Sequence, residues 1–228
     1  MTAATVAKAI HYPSGDGKPV AESYAHVYAI FVTLEILRQY LAGQQATVLA
    51  NQFLYYAQAF PKLRVAPDVM VIFGVAPGGR DSYKIWEEGQ VPAVIFEMTS
   101  AQTRQKDQQQ KKQIYEAIGV QEYWLFDPKG EWLHPPLLGY QLVGNRYSAI
   151  SDNTSQVLQL RLVPNGPLID FYRLDNGEKL LTPEELAQAR EQERLEKERE
   201  RLEKERERQL RLELIEKLRA RGIDPDAL

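Results

Sequence analysis

The chain has 228 residues and a formal net charge of −3, with 28 Lys or Arg against 31 Asp or Glu. This length suffices for one domain with a buried core plus an appendage. The absence of cysteine excludes disulfides, thiolate metal sites and cysteine nucleophiles, and three scattered histidines disfavour a zinc enzyme of the His-x-x-x-His type. No apolar run reaches the roughly 20 residues of a membrane span and no signal-peptide pattern is visible, so we expect a cytoplasmic protein without membrane contact.

Helical and strand patterns alternate through the first part of the chain. Apolar residues at helical spacing from about Glu22 to Leu41 predict an amphipathic helix. We expect the following elements next: a strand over residues 46–56, strands at 67–73 (PDVMVIF) and 91–100 (VPAVIFEMTS), a helix over about 104–118, and a strand over 120–126. Because a helical crossover precedes the last strand, it should run parallel to a neighbour. The order predicts a mixed α/β fold, a sheet flanked by helices, with extra short strands after Asp127.

The end of the chain differs in composition from the rest. Thr182 and Pro183 are a typical N-cap and first helical residue, and residues 183–228 hold 12 Lys or Arg and 14 Asp or Glu. We therefore predict one domain over residues 1–182 and a long charged helical tail over 183–228. Leu195 and Leu202 mark only one of the two heptad core positions, which leaves open a solvated single helix or a weak coiled coil that forms a homodimer.

Two acidic residues stand at the edges of apolar strands. Asp68 begins the strand at 67–73, and Glu97 lies near the end of the strand at 91–100. If these strands pair antiparallel, the two carboxylates converge. Burial of such groups is costly unless a cation compensates, and a divalent metal ion would do so. Taken singly, either acid is equally explained as a structural group at a turn or strand end.

A lysine on the next helix completes the set. Lys111 shares a helical face with Ile114, Tyr115 and Ile118 and should therefore face the sheet, as a functional group or as a structural counter-ion. Asp107, one turn earlier, can pair with it.

Such a trio suits phosphodiester hydrolysis that depends on Mg²⁺ or Mn²⁺. Asp68 and Glu97 would hold the metal, and the backbone carbonyl of Met98 would be a further ligand. Lys111 would position or activate water and stabilise negative charge in the transition state.

Basic residues gather at the start of the same helix. Arg104, Lys106 and Lys112 are unfavourable near the positive end of the helix dipole, which indicates an anionic partner. They are the expected substrate-binding residues. A solvated polar face is the alternative.

The order of these motifs resembles the Uma-type restriction endonucleases, a cyanobacterial branch of the PD-(D/E)XK nuclease superfamily. The resemblance is carried by PDV at 67–69, VIFEMTSAQTR at 94–104 and DQQQKKQIYEAIGVQEYWLFDP at 107–128, and it extends over about residues 12–172. It implies a restriction-endonuclease-like α/β core, metal ligands at Asp68 and Glu97, and DNA as the substrate.

One position differs from the superfamily motif, and three further positions match the family. Thr99 stands where the superfamily usually has a lysine, and Lys111 on the helix replaces it. Glu22 matches an acidic position near the first helix and is a further candidate metal ligand, although the helix dipole alone also favours an acid there. Ser100 and Thr103 match polar positions and should shape the loop or cap the next helix.

These inferences predict a metal-dependent endodeoxyribonuclease that forms a homodimer. Two alternatives are a nucleic-acid-binding protein of the same fold that has lost catalysis, and an oligomeric assembly protein organised by the helical tail.

Overall fold

A computed structural model describes residues 10–17 and 22–220 of the chain. The chain divides into two compact units, Met1–Leu180 and Leu181–Leu228, and each is described by itself. The outermost parts of both predicted domains, residues 1–9 and 221–228, and the short segment 18–21 lie outside the described residues.

The first unit contains twelve described strands and three described α-helices. The helices are α1 (Tyr24–Tyr40), α2 (Ile85–Glu88) and α3 (Lys112–Ile118), and a π-helical stretch (Lys106–Lys111) leads directly into α3. The strands are β1 (Ala46–Leu49), β2 (Phe53–Tyr55), β3 (Arg64–Val65), β4 (Val69–Phe73), β5 (Ser82–Lys84), β6 (Val94–Met98), β7 (Glu122–Phe126), β8 (Leu137–Val143), β9 (Arg146–Ile150), β10 (Thr154–Ser155), β11 (Leu160–Asn165) and β12 (Leu168–Arg173).

A six-stranded mixed sheet with the order β1-β4-β6-β7-β8-β9 is the centre of this unit. The central pair β6 and β7 is parallel, and the other neighbours are antiparallel. Two three-stranded sheets, β10-β11-β12 and β3-β2-β5, accompany it. The mixed α/β fold and the parallel strand after the helical crossover are therefore confirmed.

The prediction of one continuous strand over residues 46–56 is wrong. Asn51 has a φ of 54°, in the left-handed region that ends an extended segment. The chain turns there, so that β1 joins the large sheet while β2 joins the small sheet with β3 and β5. Asn tolerates this conformation better than most residues, but the apolar pattern on both sides hides the break.

Both faces of strand β6 are buried against different layers. Val94, Phe96 and Met98 belong to a core cluster that also contains side chains of α1, β11 and β12. Ile95 belongs to a second cluster on the other face, which includes Tyr115 of α3. Because side chains alternate along a strand, Glu97 projects into the layer between the sheet and α3.

Helix α1 has a defined start. Ser23 is its N-cap, and the Ser23 side chain accepts a hydrogen bond from the backbone N–H of His26 at 3.4 Å. The predicted helix over residues 22–41 agrees with the observed Tyr24–Tyr40 to within two residues. The cap fixes the first turn of α1 beside the sheet.

The second unit consists of a long helix, α4 (Pro183–Ala220), which confirms the helix predicted from Pro183. Thr182 and Glu185 form a capping box, in which each side chain accepts the other residue's backbone N–H. Ion pairs at i,i+3 and i,i+4 run along the helix, while Leu195 and Leu202 are 54% and 59% exposed. No helix in the described part of the chain is both long and apolar enough to cross a membrane.

The close approach of β7 and β8 yields a test of the packing. Gly139 pairs with Trp124, and a methyl group on Gly139 would lie 2.6 Å from a carbon of the buried indole ring. We expect Gly139→Ala to lower the free energy of unfolding by about 1–3 kcal/mol, because the strand must shift to admit it. Gly79→Ala is the control, since no atom lies within 4 Å of its added methyl group. Chemical denaturation of both variants measures the difference, and equal stabilities would contradict this packing.

Candidate active site

Strand pairing brings Asp68 and Glu97 together, as the sequence predicted. Strands β4 and β6 are antiparallel with Val69 opposite Phe96, so one further step of this register sets Asp68 opposite Glu97 on the same face of the sheet. Asp68 Oδ2 accepts a hydrogen bond from the backbone N–H of Met98 at 2.6 Å. The two acids therefore share one site at the end of these strands.

Pro67 shapes the surroundings of Met98. The same register sets Pro67 opposite Met98, and proline has no N–H to donate to a neighbouring strand. The N–H and C=O of one strand residue point to the same side, so the Met98 carbonyl faces the side on which Asp68 accepts the Met98 N–H. This arrangement leaves the carbonyl free of a ladder donor from Pro67, as a metal ligand requires.

Glu97 is held by two short hydrogen bonds from the helical side of the layer. Lys111 Nζ donates to Glu97 Oε2 at 2.6 Å, and the Tyr115 hydroxyl donates to Glu97 Oε1 at 2.6 Å. Lys111 Nζ also lies 3.1 Å from Asp107 Oδ1. The structure thus joins Glu97, Lys111 and Asp107 into one buried network.

Two charged residues of the π-helical stretch face inward. Asp107 and Lys111, four residues apart, are both buried while the residues between them are exposed. A π-helix has a wider turn than an α-helix, and π-helical turns are frequent at functional sites. The sequence predicts a regular helix here, and the structure differs from that prediction in having the wider turn.

Burial dominates the electrostatics of the acids. It raises the pKa of Asp68 to about 7, against the attraction of Lys111 and the hydrogen bond from Met98. Burial likewise raises the pKa of Glu97 to about 8, and the repulsion from Asp68 and Asp107 adds to it. Burial opposes the charged form of Lys111, but the surrounding carboxylates outweigh it and keep its pKa above the ordinary value.

The charges in this network do not balance. Among the described residues Lys111 is the only buried lysine or arginine, whereas Asp68, Glu97 and Asp107 are three buried acids around it. When all three acids are ionised, one ammonium cannot neutralise them. The cluster has the character of a cation-binding site.

His26 belongs to the site and was missed by the sequence analysis, which treated it as one of three scattered histidines. Its Nε2 lies 3.2 Å from Glu22 Oε2 and 3.7 Å from Asp68 Oδ2. The available signal was its position four residues after Glu22, which puts both side chains on one face at the start of α1. Glu22 therefore reaches the site through His26.

A cleft of about 450 Å³ opens beside these groups. Its walls include Glu22, His26, Thr99, Thr103 and Trp132. The wall that carries Trp132 is held by Asp127, whose buried carboxylate accepts backbone N–H groups from Lys129, Gly130, Trp132 and Leu133. Asp68, Glu97 and Asp107 do not line this cleft, which adjoins them through His26, whose Nε2 lies 3.7 Å from Asp68 Oδ2.

The polar loop residues at the cleft have the role expected of them. Thr103 Oγ1 accepts the Ser100 backbone N–H at 3.1 Å, and the two hydroxyl groups lie 3.2 Å apart. The Arg104 N–H in turn donates to the Ser100 carbonyl at 3.0 Å. Ser100 and Thr103 shape the turn that begins the helix.

The three basic residues predicted to bind substrate point in different directions. The Arg104 guanidinium lies 5.3 Å from the ring of Trp132 at the cleft, and Lys106 is exposed. The Lys112 ammonium lies 3.5 Å from the ring centre of Tyr140 on β8, and burial lowers its pKa. Of these three residues, Arg104 is therefore the one that contacts an aromatic ring, that of Trp132, in the wall of the cleft.

The fit of the site to a metal ion can be judged from its donors. Within residues 10–17 and 22–220, no three or more His, Asp or Glu side chains are placed so that they form a cage that could hold a metal ion. Mg²⁺ seldom uses such cages, because it is commonly held by one or two carboxylates, with water and substrate phosphate completing the octahedron. Asp107 Oδ1 and His26 Nε2 are buried without a well-aligned hydrogen bond, although Lys111 Nζ lies 3.1 Å from the first and Glu22 Oε2 lies 3.2 Å from the second. The donor set fits a cation that is completed by water and phosphate.

The raised pKa of Asp68 predicts how stability depends on pH. Its folded pKa of about 7 exceeds the ordinary 3.8, so the wild type loses stability as pH rises from about 4 through 7. We expect Asp68→Asn to match the wild type near pH 4 and to be more stable at pH 8 by about 2–4 kcal/mol. Thermal and chemical unfolding in a metal chelator measure the slope. Asp81→Asn, at an exposed position, is the control, and parallel slopes for all three proteins would contradict the assignment.

The chain is similar to a known protein family and to a solved structure. No curated protein matches the chain. A similar solved structure is described as "a putative nuclease belonging to DUF820" from Anabaena variabilis ATCC 29413, with 14% identity, a TM-score of 0.43, and coverage of 67% of this chain and 79% of that chain. The Uma2 family, described as "Putative restriction endonuclease", matches residues 12–167. The chain therefore belongs to the Uma2 family, as the order of its motifs predicted.

Proposed function

We propose that the chain is a metal-dependent endonuclease that hydrolyses DNA phosphodiester bonds. The observation that carries this proposal is the cluster of Asp68, Glu97 and Asp107 around the buried ammonium of Lys111. Such an excess of buried carboxylates is costly unless a cation binds among them. Membership of the Uma2 family supports a nuclease-like function.

Asp68 and Glu97 are the proposed metal ligands, with the Met98 carbonyl and Glu22 as further ligands. Carboxylate and carbonyl oxygens suit Mg²⁺ or Mn²⁺, which are the proposed cofactors. When bound, such an ion polarises the phosphate and acidifies a bound water. The raised pKa values of Asp68 and Glu97 fit this role, because a cation would stabilise the charged form that burial disfavours.

Lys111 is the proposed catalytic lysine. Its ammonium is oriented by Glu97 Oε2 at 2.6 Å and Asp107 Oδ1 at 3.1 Å, so its remaining hydrogen-bond donor can be directed at the substrate. A donor fixed in this way stabilises negative charge that develops on the phosphate. Tyr115, on the other oxygen of Glu97, keeps that carboxylate from rotating away.

Arg104, Lys106 and Lys112 are the proposed contacts to the DNA backbone. Arg104 stands at the cleft beside Trp132, where its charge can meet a phosphate near the acids. Lys106 is exposed on the same helix start. Contacts of this kind position the duplex and make binding dependent on salt, without selecting a sequence.

We propose that residues 1–182 form the nuclease domain, that residues 183–228 act as a tail in a homodimer, and that the protein is cytoplasmic. A protein of the same fold that binds nucleic acid without cleaving it is the main alternative. The uncompensated acids favour catalysis, because binding DNA alone gives no reason to keep three carboxylates beside a phosphate.

Cleavage assays test the assignment of the acids. With Mg²⁺ or Mn²⁺, the wild type should cut plasmid and linear DNA, and Asp68→Asn and Glu97→Gln should each lower the rate at least about 100-fold by removing a metal ligand. Asp81→Asn should keep the wild-type rate. Equal rates in all four proteins would show that the activity comes from another site or a contaminant.

A matched pair of lysine variants tests the catalytic role of Lys111. Lys111→Met should lower kcat by about 10²–10³-fold, because it removes a fixed donor at the developing charge. Lys112→Met, one residue along the same helix, should raise KM for DNA with little change in kcat if it contacts only phosphate. Full turnover by Lys111→Met would exclude this lysine from the mechanism and leave the metal proposal standing.

Light scattering tests the role of the tail. A chain ending before Pro183 should be monomeric if α4 forms the homodimer, because its exposed leucines are then the contact surface. The full-length chain should show twice the 26.1 kDa mass of one full-length chain. A dimer in both would assign assembly to the first unit, and monomers in both would make α4 a solvated single helix.

A further inference from the structure

The geometry points to His26 as a direct ligand, through Nε2, of the divalent cation that the proposed function places at Asp68. The inference rests on that proposed cation site and adds to it a nitrogen donor. It changes the expected chemistry of the site from an all-oxygen centre to a mixed nitrogen and oxygen centre. Such a centre favours a different group of metals.

The His26 side chain faces two carboxylates from a buried position. His26 is 5% exposed, and its Nε2 forms no well-aligned hydrogen bond although Glu22 Oε2 lies 3.2 Å away. Buried polar atoms are nearly always hydrogen-bonded, so a ring nitrogen that faces two carboxylates without an aligned bond calls for a physical reason. A cation between the ring nitrogen and the carboxylates supplies one.

Two distances place Nε2 near the spacing of ligand atoms. Nε2 lies 3.2 Å from Glu22 Oε2 and 3.7 Å from Asp68 Oδ2. Neighbouring ligand atoms of an octahedral ion with bonds of roughly 2.1 Å are about 3 Å apart. The first separation is close to this edge and the second is wider, so the ring and the Asp68 carboxylate must move closer together when one ion binds both. Glu22 and Asp68 are also the two acids that the proposed function makes ligands.

The His26 ring is held in a fixed position and lies in the wall of the cleft. The backbone N–H of His26 is held by the Ser23 side chain in the first turn of α1, and α1 packs on the central sheet. The ring is therefore presented by a fixed element and not by a loop, which is what a ligand requires. Glu22 and His26 both line the cleft, which gives an ion a path from solvent.

An imidazole ligand has a consequence for metal choice. Oxygen-only sites suit Mg²⁺, whereas imidazole suits later transition metals such as Co²⁺ and Ni²⁺. Loss of His26 should therefore weaken the binding of Co²⁺ and Ni²⁺ much more than that of Mg²⁺ or Mn²⁺. A His26 that only hydrogen-bonds to the carboxylates would affect all these ions alike.

Calorimetric titration of the full chain with MgCl₂, MnCl₂ and CoCl₂ measures this selectivity. His26→Asn, whose amide is too short to occupy the ring nitrogen's place, should weaken Co²⁺ binding at least about tenfold and should change Mg²⁺ and Mn²⁺ binding much less. The matched control is His11→Asn, the same substitution at an exposed position outside the cleft. An unchanged Co²⁺ affinity in His26→Asn would overturn the assignment, and so would equal losses for all three ions.

A spectroscopic measurement keeps the inference testable if the variant fails to fold. Pulsed electron paramagnetic resonance of the Mn²⁺-loaded wild type should show coupling to a histidine ¹⁴N nucleus, and His11→Asn should keep that coupling. His26→Asn, where it folds, should lose it. A Mn²⁺-loaded wild type without such coupling would overturn the inference.

Measurements of ¹⁴N coupling, DNA cleavage and cation binding distinguish a failure of the His26 ligand from a failure of the nuclease proposal. Coupling to ¹⁴N in a wild type that cuts no DNA supports the ligand and defeats the nuclease proposal. DNA cleavage with no ¹⁴N coupling supports the nuclease and defeats the ligand. A wild type that binds none of the three cations defeats both.

Discussion

The buried ion pair between Glu97 and Lys111 is the constraint on which the site depends. Both partners lie in an apolar layer between the sheet and α3, where Tyr115 donates to the carboxylate oxygen that Lys111 does not contact. Desolvation of two charges offsets most of their attraction, and an apolar pair of similar volume would be as stable or more so. Removing one partner leaves the other charged and alone. We infer that the pair is kept because it holds Glu97 and Lys111 in a geometry that chemistry requires.

The topology of the sheet is what makes this geometry attainable. The antiparallel pairing of β4 and β6 sets Asp68 beside Glu97, although the two are far apart in sequence. The parallel pairing of β6 and β7 requires a crossover, and the π-helical stretch and α3 provide it on the face where Glu97 projects. The same connection that builds the sheet therefore carries Lys111 and Asp107 to the acids. Fold and site have one origin in this part of the chain.

Local periodicity made much of this predictable. The alternation around Glu97 and the helical spacing of Lys111 and Tyr115 predicted which way each side chain faces, whereas the antiparallel pairing of the two strands was a condition that the sequence left open. The role of His26 was not predictable in this way, because its contact with Asp68 joins two elements that no local pattern relates. The break at Asn51 and the π-helical stretch were also missed. Each depends on a backbone conformation that tertiary packing selects against the local preference.

The raised pKa values connect stability to cation binding. At neutral pH the folded chain either keeps protons on buried acids or holds charges that one ammonium does not balance, and both states cost free energy. A cation that binds only the folded state raises the free energy of unfolding, by an amount that grows with its concentration and its affinity. Substitutions that neutralise an acid should therefore stabilise the metal-free protein and weaken metal binding together. The two large core clusters on either face of the sheet supply the stability that lets the chain tolerate such a site.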